Sequence, residues 1–152
     1  MSTDRRRVLV VDDEGDIRTI VGLNLTLNGM EFGEAPNGQE ALTMIREGNW
    51  DACVLDLAMP KADGYTVLRE LNTTGEINDV VVVVLSARGA PSAAIKAMEL
   101  GAHTHLTKPF SPAAVAKIIE ELIQLSPEAR NERRTKMIKR AGALERLGVP
   151  TV

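Results

Sequence analysis

Three stretches of this chain are apolar almost without interruption: "VLVV" at 8–11, "ACVLDL" at 52–57 and "VVVVVL" at 80–85. A strand with one wet face alternates polar and apolar residues, because successive side chains point to opposite sides. Runs without that alternation belong to strands covered on both faces, the condition of a parallel sheet between two layers of helices. "THLT" at 104–107 reads as a further strand and "MEFGEA" at 30–35 as a weaker one. Helical stripes separate them: Ile17, Val21 and Leu25; Ala41, Leu42 and Ile45; Val67, Leu68 and Leu71; Ile95 and Met98; then Val115, Ile118, Ile119 and Leu122. Five strand–helix units in series predict an α/β fold with a doubly wound five-stranded parallel sheet. Aromatics make up only 3% of the chain, so the core has to be built from Val, Ile, Leu, Met and Ala.

The apolar runs are also too short for a membrane span, which needs roughly 20 residues. The basic start "MSTDRRR" leads into four apolar residues and then "DDE", which is not the pattern of a secretory signal. Cys53 is the single cysteine. An internal disulfide is therefore excluded, and the expected location is the reducing cytoplasm. Mid-strand on an apolar run, Cys53 is expected to be a buried structural thiol.

After Leu125 the character of the chain changes. Residues 126–152 hold seven Lys/Arg against three Asp/Glu, a net of +4, which leaves −7 on residues 1–125. Ser126 suits an N-cap, Pro127 the first helical position and Glu128 the positive end of the helix dipole. A new helix is predicted from there, with a narrow apolar stripe at Met137, Ala141 and Leu144, basic residues elsewhere, and "LGVP" at 147–150 as its stop. The division expected is 6–125 and a basic helical tail at 126–152. About 27 residues cannot supply a helix-turn-helix effector. The tail has four possible uses: packing on the acidic body, forming a homodimer, docking a protein, or meeting nucleic-acid phosphates.

The polar residues of the strands gather at one end. The first strand runs into Asp12-Asp13-Glu14, the third contains Asp56 near its end, the fourth ends at Ser86 and the fifth at Lys108. Open parallel sheets bind ligands beyond these carboxyl ends. Three clustered carboxylates repel unless a cation joins them. A hard divalent ion with oxygen ligands resolves that repulsion, and Mg²⁺ usually adds phosphate oxygens to one or two carboxylates. A hydroxyl and a lysine suit the remaining phosphate oxygens. Asp56 is then the candidate nucleophile, forming an acyl phosphate.

"VLVVDDE", "LDLAMPKADG", "VVVLSA" and "GAHTHLTKPF" together resemble the receiver domain of bacterial two-component response regulators, over roughly residues 6–125. The resemblance implies a flavodoxin-like (βα)5 fold with strand order 2-1-3-4-5. It implies Asp56 as phosphoacceptor, with Asp12, Asp13, Asp56 and the backbone carbonyl of Ala58 around Mg²⁺ (or Mn²⁺). Ser86 is the implied switch hydroxyl and Lys108 the ion-pair partner of the phosphoryl group, and Pro109 would follow a cis peptide. The implied donor is a sensor histidine kinase or phosphotransfer protein. The implied output is a remodelled face of helix four, strand five and helix five that meets a downstream protein. No membrane or nucleic-acid partner is expected. Such a protein is not an enzyme acting on another substrate: it catalyses only its own phosphoryl transfer and autodephosphorylation. The rival readings are a phosphorylation-independent adaptor and a nucleic-acid-associated regulator acting through the basic tail.

Three positions depart from the family pattern. His105 stands where the fifth strand usually carries an aromatic switch residue, so it is a candidate switch. His103, two residues earlier, is expected to have no special role. Ala58 and Arg88 follow Asp56 and Ser86 by two positions, where side chains tune acyl-phosphate lifetime. Neither positions water as an amide or carboxylate would, so slow to moderate autodephosphorylation is expected.

Overall fold

A computed structural model describes residues 5–60, 63–87 and 91–148. In chain order the elements are β1 (Arg7–Val11), α1 (Gly15–Leu27), β2 (Glu31–Ala35), α2 (Gly38–Glu47), β3 (Ala52–Asp56), α3 (Asp63–Thr74), a 3-10 turn (Glu76–Asp79), β4 (Val81–Ser86), α4 (Pro91–Glu99), β5 (Thr104–Thr107), α5 (Pro112–Gln124) and α6 (Pro127–Arg146). The strands form one parallel sheet in the order β2-β1-β3-β4-β5, as the resemblance implied. No helix among the described residues is long and apolar enough to cross a membrane.

The unbroken apolar runs are explained by two cores, one on each side of the sheet. Leu9, Val11, Cys53, Leu55, Val82 and Val84 face the layer of α2, α3 and α4. Val8, Val10, Val54, Val81, Val83 and Leu85 face α1 and α5. Adjacent residues of one strand thus serve opposite cores. Burial pushes the Cys53 thiol up to about 12, so it stays protonated and inert.

Two expectations need correcting. On α4 the buried residues are Ala94, Ala97 and Met98, while Ile95 is only half-buried. Small side chains let this helix approach the sheet closely. The inward face of α6 is broader than an apolar stripe: Arg130, Arg133 and Arg134 are half-buried together with Met137, Ile138, Ala141 and Leu144. Those arginines lie one and two turns before Met137 on the same side of the helix. The N-cap is as expected, with Ser126 Oγ accepting the Ala129 N–H at 3.1 Å, and the helix runs through Gly142 to Arg146.

Candidate functional site

Register brings the acidic residues together. Val11 of β1 pairs with Leu55 of β3, so the next residues, Asp12 and Asp56, emerge side by side at the carboxyl edge. Ser86 ends β4 beside them, and Lys108 follows β5 at once. Asp12, Asp56 and Ser86 are 0%, 1% and 2% exposed, while Asp13 faces solvent. Lys108 Nζ reaches in from the rim, 3.2 Å from Asp56 Oδ1 and 3.6 Å from Asp12 Oδ2. The chain holds it from behind, since the Lys108 N–H donates to the Ser86 carbonyl at 2.8 Å. The Lys108–Pro109 peptide is cis.

Local turns fix both buried carboxylates. Asp12 Oδ1 accepts the Glu14 N–H at 2.9 Å, and Asp56 Oδ1 accepts the Ala58 N–H at 2.9 Å. Each aspartate thus bonds the backbone two residues on, the turn that short acidic side chains favour. Ala58 is exposed in the loop after β3.

The electrostatics record the crowding. Burial raises the Asp12 carboxyl from 3.8 to about 6; the Glu14 N–H and Lys108 oppose the rise, while Asp56 and Asp13 add to it. Lys108 is penalised by burial, but the Asp56 and Asp12 carboxylates outweigh the penalty and hold it above the ordinary lysine value. One oxygen of Asp12, Oδ2, is buried and has no hydrogen-bond partner. Carboxylate oxygens of Asp12, Asp13 and Asp56 lie within 4.8 Å of one another. An oxygen-only donor set, a buried oxygen that lacks a hydrogen bond and has Lys108 Nζ 3.6 Å away, and a mouth open at Asp13 fit a hard divalent cation such as Mg²⁺.

Two contributors were not foreseen. Arg18, one turn into α1, donates through Nη1 to the Asp12 carbonyl at 2.6 Å and through Nε to Glu34 at 3.0 Å. It pins the backbone that carries the acid pair. Gly64 lies against the Asp56 backbone: a Cβ there would stand 2.6 Å from the Asp56 carbonyl oxygen and 3.1 Å from Leu57 Cα. The reason for glycine here is this close approach of α3 to the end of β3.

The histidines separate. His103 precedes β5 and is buried; its Nδ1 accepts the Val82 N–H at 3.0 Å while the His103 backbone N–H donates to the Val82 carbonyl at 2.8 Å. This corrects the expectation of no role: the imidazole completes the ladder at the entry of β4. Burial, aided by Arg130 and Arg134, lowers it to about 4. His105, paired with Val84, is half-buried, its Nδ1 is buried without a hydrogen-bond partner, and burial lowers its basicity. Arg88 lies outside the described residues.

Comparison with known proteins agrees with this architecture. The family model described as "Response regulator receiver domain" matches residues 8–120. The chain is 39% identical over 124 residues to the probable transcriptional regulator ycf27 of Porphyra purpurea, covering 82% of this chain and 50% of that protein. It is 41% identical over 105 residues to the response regulator MprA of Mycobacterium avium, covering 69% and 45%. It therefore spans about half the length of these curated relatives. Among solved structures, the receiver domain of the Francisella response regulator 1452 superposes with a TM-score of 0.72 at 32% identity, over 79% of this chain and 98% of that one. A chain of the co-crystal structure of the Saccharomyces cerevisiae phosphotransfer protein Ypd1 with the Ssk1 receiver domain superposes with a TM-score of 0.69 at 28% identity, over 77% and 88%. Strand order, the acidic rim and the family match converge on one conclusion: this chain belongs to the response regulator receiver domain family of two-component signalling.

Proposed function

We propose that this receiver accepts a phosphoryl group on Asp56 from a phosphohistidine of a sensor histidine kinase or phosphotransfer protein, in the cytoplasm, and passes the signal on by protein–protein contact. The observation that supports it best is the buried pair of carboxylates bridged by Lys108, with one oxygen of Asp12 left without a hydrogen bond. Asp12, Asp13, Asp56 and the Ala58 carbonyl would hold Mg²⁺ or Mn²⁺, which would spread the negative charge of the transferring phosphoryl group.

In the transfer, an Asp56 carboxylate oxygen forms a bond to phosphorus as the phosphorus–nitrogen bond of the donor breaks, and the departing imidazole takes up a proton from water. Lys108, 3.2 Å from Asp56, provides a fixed positive charge for the phosphoryl oxygens, and Ser86 provides a hydroxyl donor. Burial of Asp56 strengthens these attractions relative to water. Hydrolysis of the acyl phosphate restores Asp56, so the protein turns over only its own modification. The co-crystal structure of the histidine phosphotransfer protein Ypd1 with the receiver domain of its downstream response regulator Ssk1 supports the same class of donor here.

The test is phosphotransfer profiling against the histidine kinases of the host, with Asp56→Ala as the control. Uptake from one kinase that depends on Mg²⁺ and vanishes in Asp56→Ala is the expected result. Uptake by Asp56→Ala at the wild-type rate would overturn the assignment.

A further inference from the structure

Helix α6 lies against the flank that a receiver would use to report its state. Its first turn is fastened to the end of α5: Arg130 Nη1 donates to the carbonyls of Leu122 at 3.2 Å and Leu125 at 2.9 Å. The Leu122 carbonyl also accepts the Leu125 N–H at the C-cap, so the arginine adds to the cap of this helix terminus, and its charge suits the negative end of the dipole. Further along, α6 packs on α4. Met137 and Ile138 rest on the core cluster that contains Ala97, Met98 and Ala102. At the start of β5, Thr104 Oγ1 donates to Met137 Sδ at 3.8 Å.

This cover is shallow. No side chain of α6 is fully buried, and three of its inward residues are arginines. Arg130 Nε is buried without a hydrogen-bond partner. A helix held by half-buried apolar side chains, of which Met137 and Ile138 rest on the core, and a few polar contacts is the kind of unit that opens locally without unfolding the domain.

The elements beneath α6 are mechanically next to the phosphorylation site. Four residues separate Ser86 from Pro91, the first residue of α4. Thr107 of β5 pairs with Ser86, and the Ser86 carbonyl holds the Lys108 N–H. Tyr65 Oη donates to the Ala93 carbonyl at 3.0 Å, so α4 is also tied to α3 just past the Asp56 loop. A shift of Ser86 toward a phosphoryl group therefore reaches α4 and β5, the two surfaces on which Met137 sits.

We propose that α6 is a built-in cover of the α4–β5 flank that favours the unphosphorylated domain and is released by phosphorylation, so that a downstream partner competes with the chain's own helix. Met137 and Ile138 are seated on the elements that a shift of Ser86 would move, so such a shift loosens the seat of α6, and that sets the sign. The inference rests on Asp56 being the phosphoacceptor. Coupling of this kind is reciprocal: whatever factor the phosphoryl group takes from α6 docking, undocking α6 returns to phosphoryl binding.

The test uses the full chain with Mg²⁺ and beryllofluoride, a stable mimic of the phosphoryl group. Binding is measured by calorimetry with Asp56→Ala as the blank, and amide hydrogen exchange is followed with and without the mimic. The expected result is at least a tenfold loss of protection over residues 127–146, with β1 and β3 unchanged. Unchanged or increased protection of α6 while beryllofluoride is bound would overturn the proposal and leave the phosphoacceptor reading standing. Failure of beryllofluoride to bind the wild-type chain would sink both. A double variant, Met137→Ser with Ile138→Ser, checks reciprocity: its affinity for beryllofluoride should rise by the factor lost in α6 protection. An unaltered affinity in a variant whose circular dichroism shows a folded domain would count against the coupling.

Discussion

At the scale of single residues, two buried titratable groups pull stability in opposite directions with pH. Asp12 has a folded value of about 6 against an ordinary 3.8, so the native state holds its proton more tightly than the unfolded chain. The resulting stabilisation is complete below about pH 4 and is lost as pH rises through 6. His103, at about 4 against 6.5, contributes above pH 6.5 and loses that contribution as pH falls through 4, because a protonated Nδ1 cannot accept the Val82 N–H. Asp12→Asn imitates the neutral carboxyl. In chelator at pH 7 it should be more stable than wild type by about 2 kcal/mol, with the advantage fading toward pH 4. Urea unfolding across that range checks it, and a pH-independent difference would contradict the assignment. Much of this site was legible in the sequence: Asp12, Asp13, Asp56 and Ser86 could be placed at strand ends from the apolar runs, and Lys108 from the strand read at "THLT". Arg18 was not, because nothing in "GDIRTI" shows that its guanidinium turns back to the Asp12 carbonyl.

At the scale of elements, the junction of β3 with α3 leaves the least room. Gly64 allows α3 to start against the Asp56 carbonyl, and the first atom of any side chain would have to displace backbone at 2.6 Å. Gly64→Ala should destabilise the domain by about 2 kcal/mol, the scale of forcing atoms into a packed region. It should also slow phosphoryl uptake, because the strain falls on the residue that bears the carboxylate. Chemical denaturation and a phosphorylation time course measure the two effects; full uptake rate with normal stability would refute the close-approach reading. Helix α6 shows the limit of pattern reading. Its start, cap and stop signals were visible, and so was part of its stripe. Its inward arginines were not, because arginine is assigned to solvent by default. Here the guanidiniums find carbonyls of α5 and the Met137 sulfur.

At the scale of the whole molecule, the sheet gathers charge from three strands and a hydroxyl from a fourth into one rim, and metal binding should therefore report on the fold. If Asp12, Asp13 and Asp56 hold Mg²⁺, saturation to about 100 times Kd adds about 2.7 kcal/mol to stability. That corresponds to a rise in Tm on the order of 5–10 °C for a domain of this size. Thermal unfolding with and without Mg²⁺ checks it, with Asp13→Asn expected to lose most of the shift. A chelator-insensitive Tm in the wild type would argue against the site.

The sequence by itself determined the class of fold and the five strand-end residues. Apolar periodicity reports burial directly, and a parallel sheet exposes its chemistry only at the carboxyl ends of strands. The tertiary structure alone decided what depends on the distance between elements far apart in the chain. It set the reach of Lys108 to two carboxylates, the lack of space at Gly64, the imidazole of His103 completing a ladder at Val82, and the flank on which α6 lies. Those are outcomes of packing, and local pattern carries no record of which surfaces will meet.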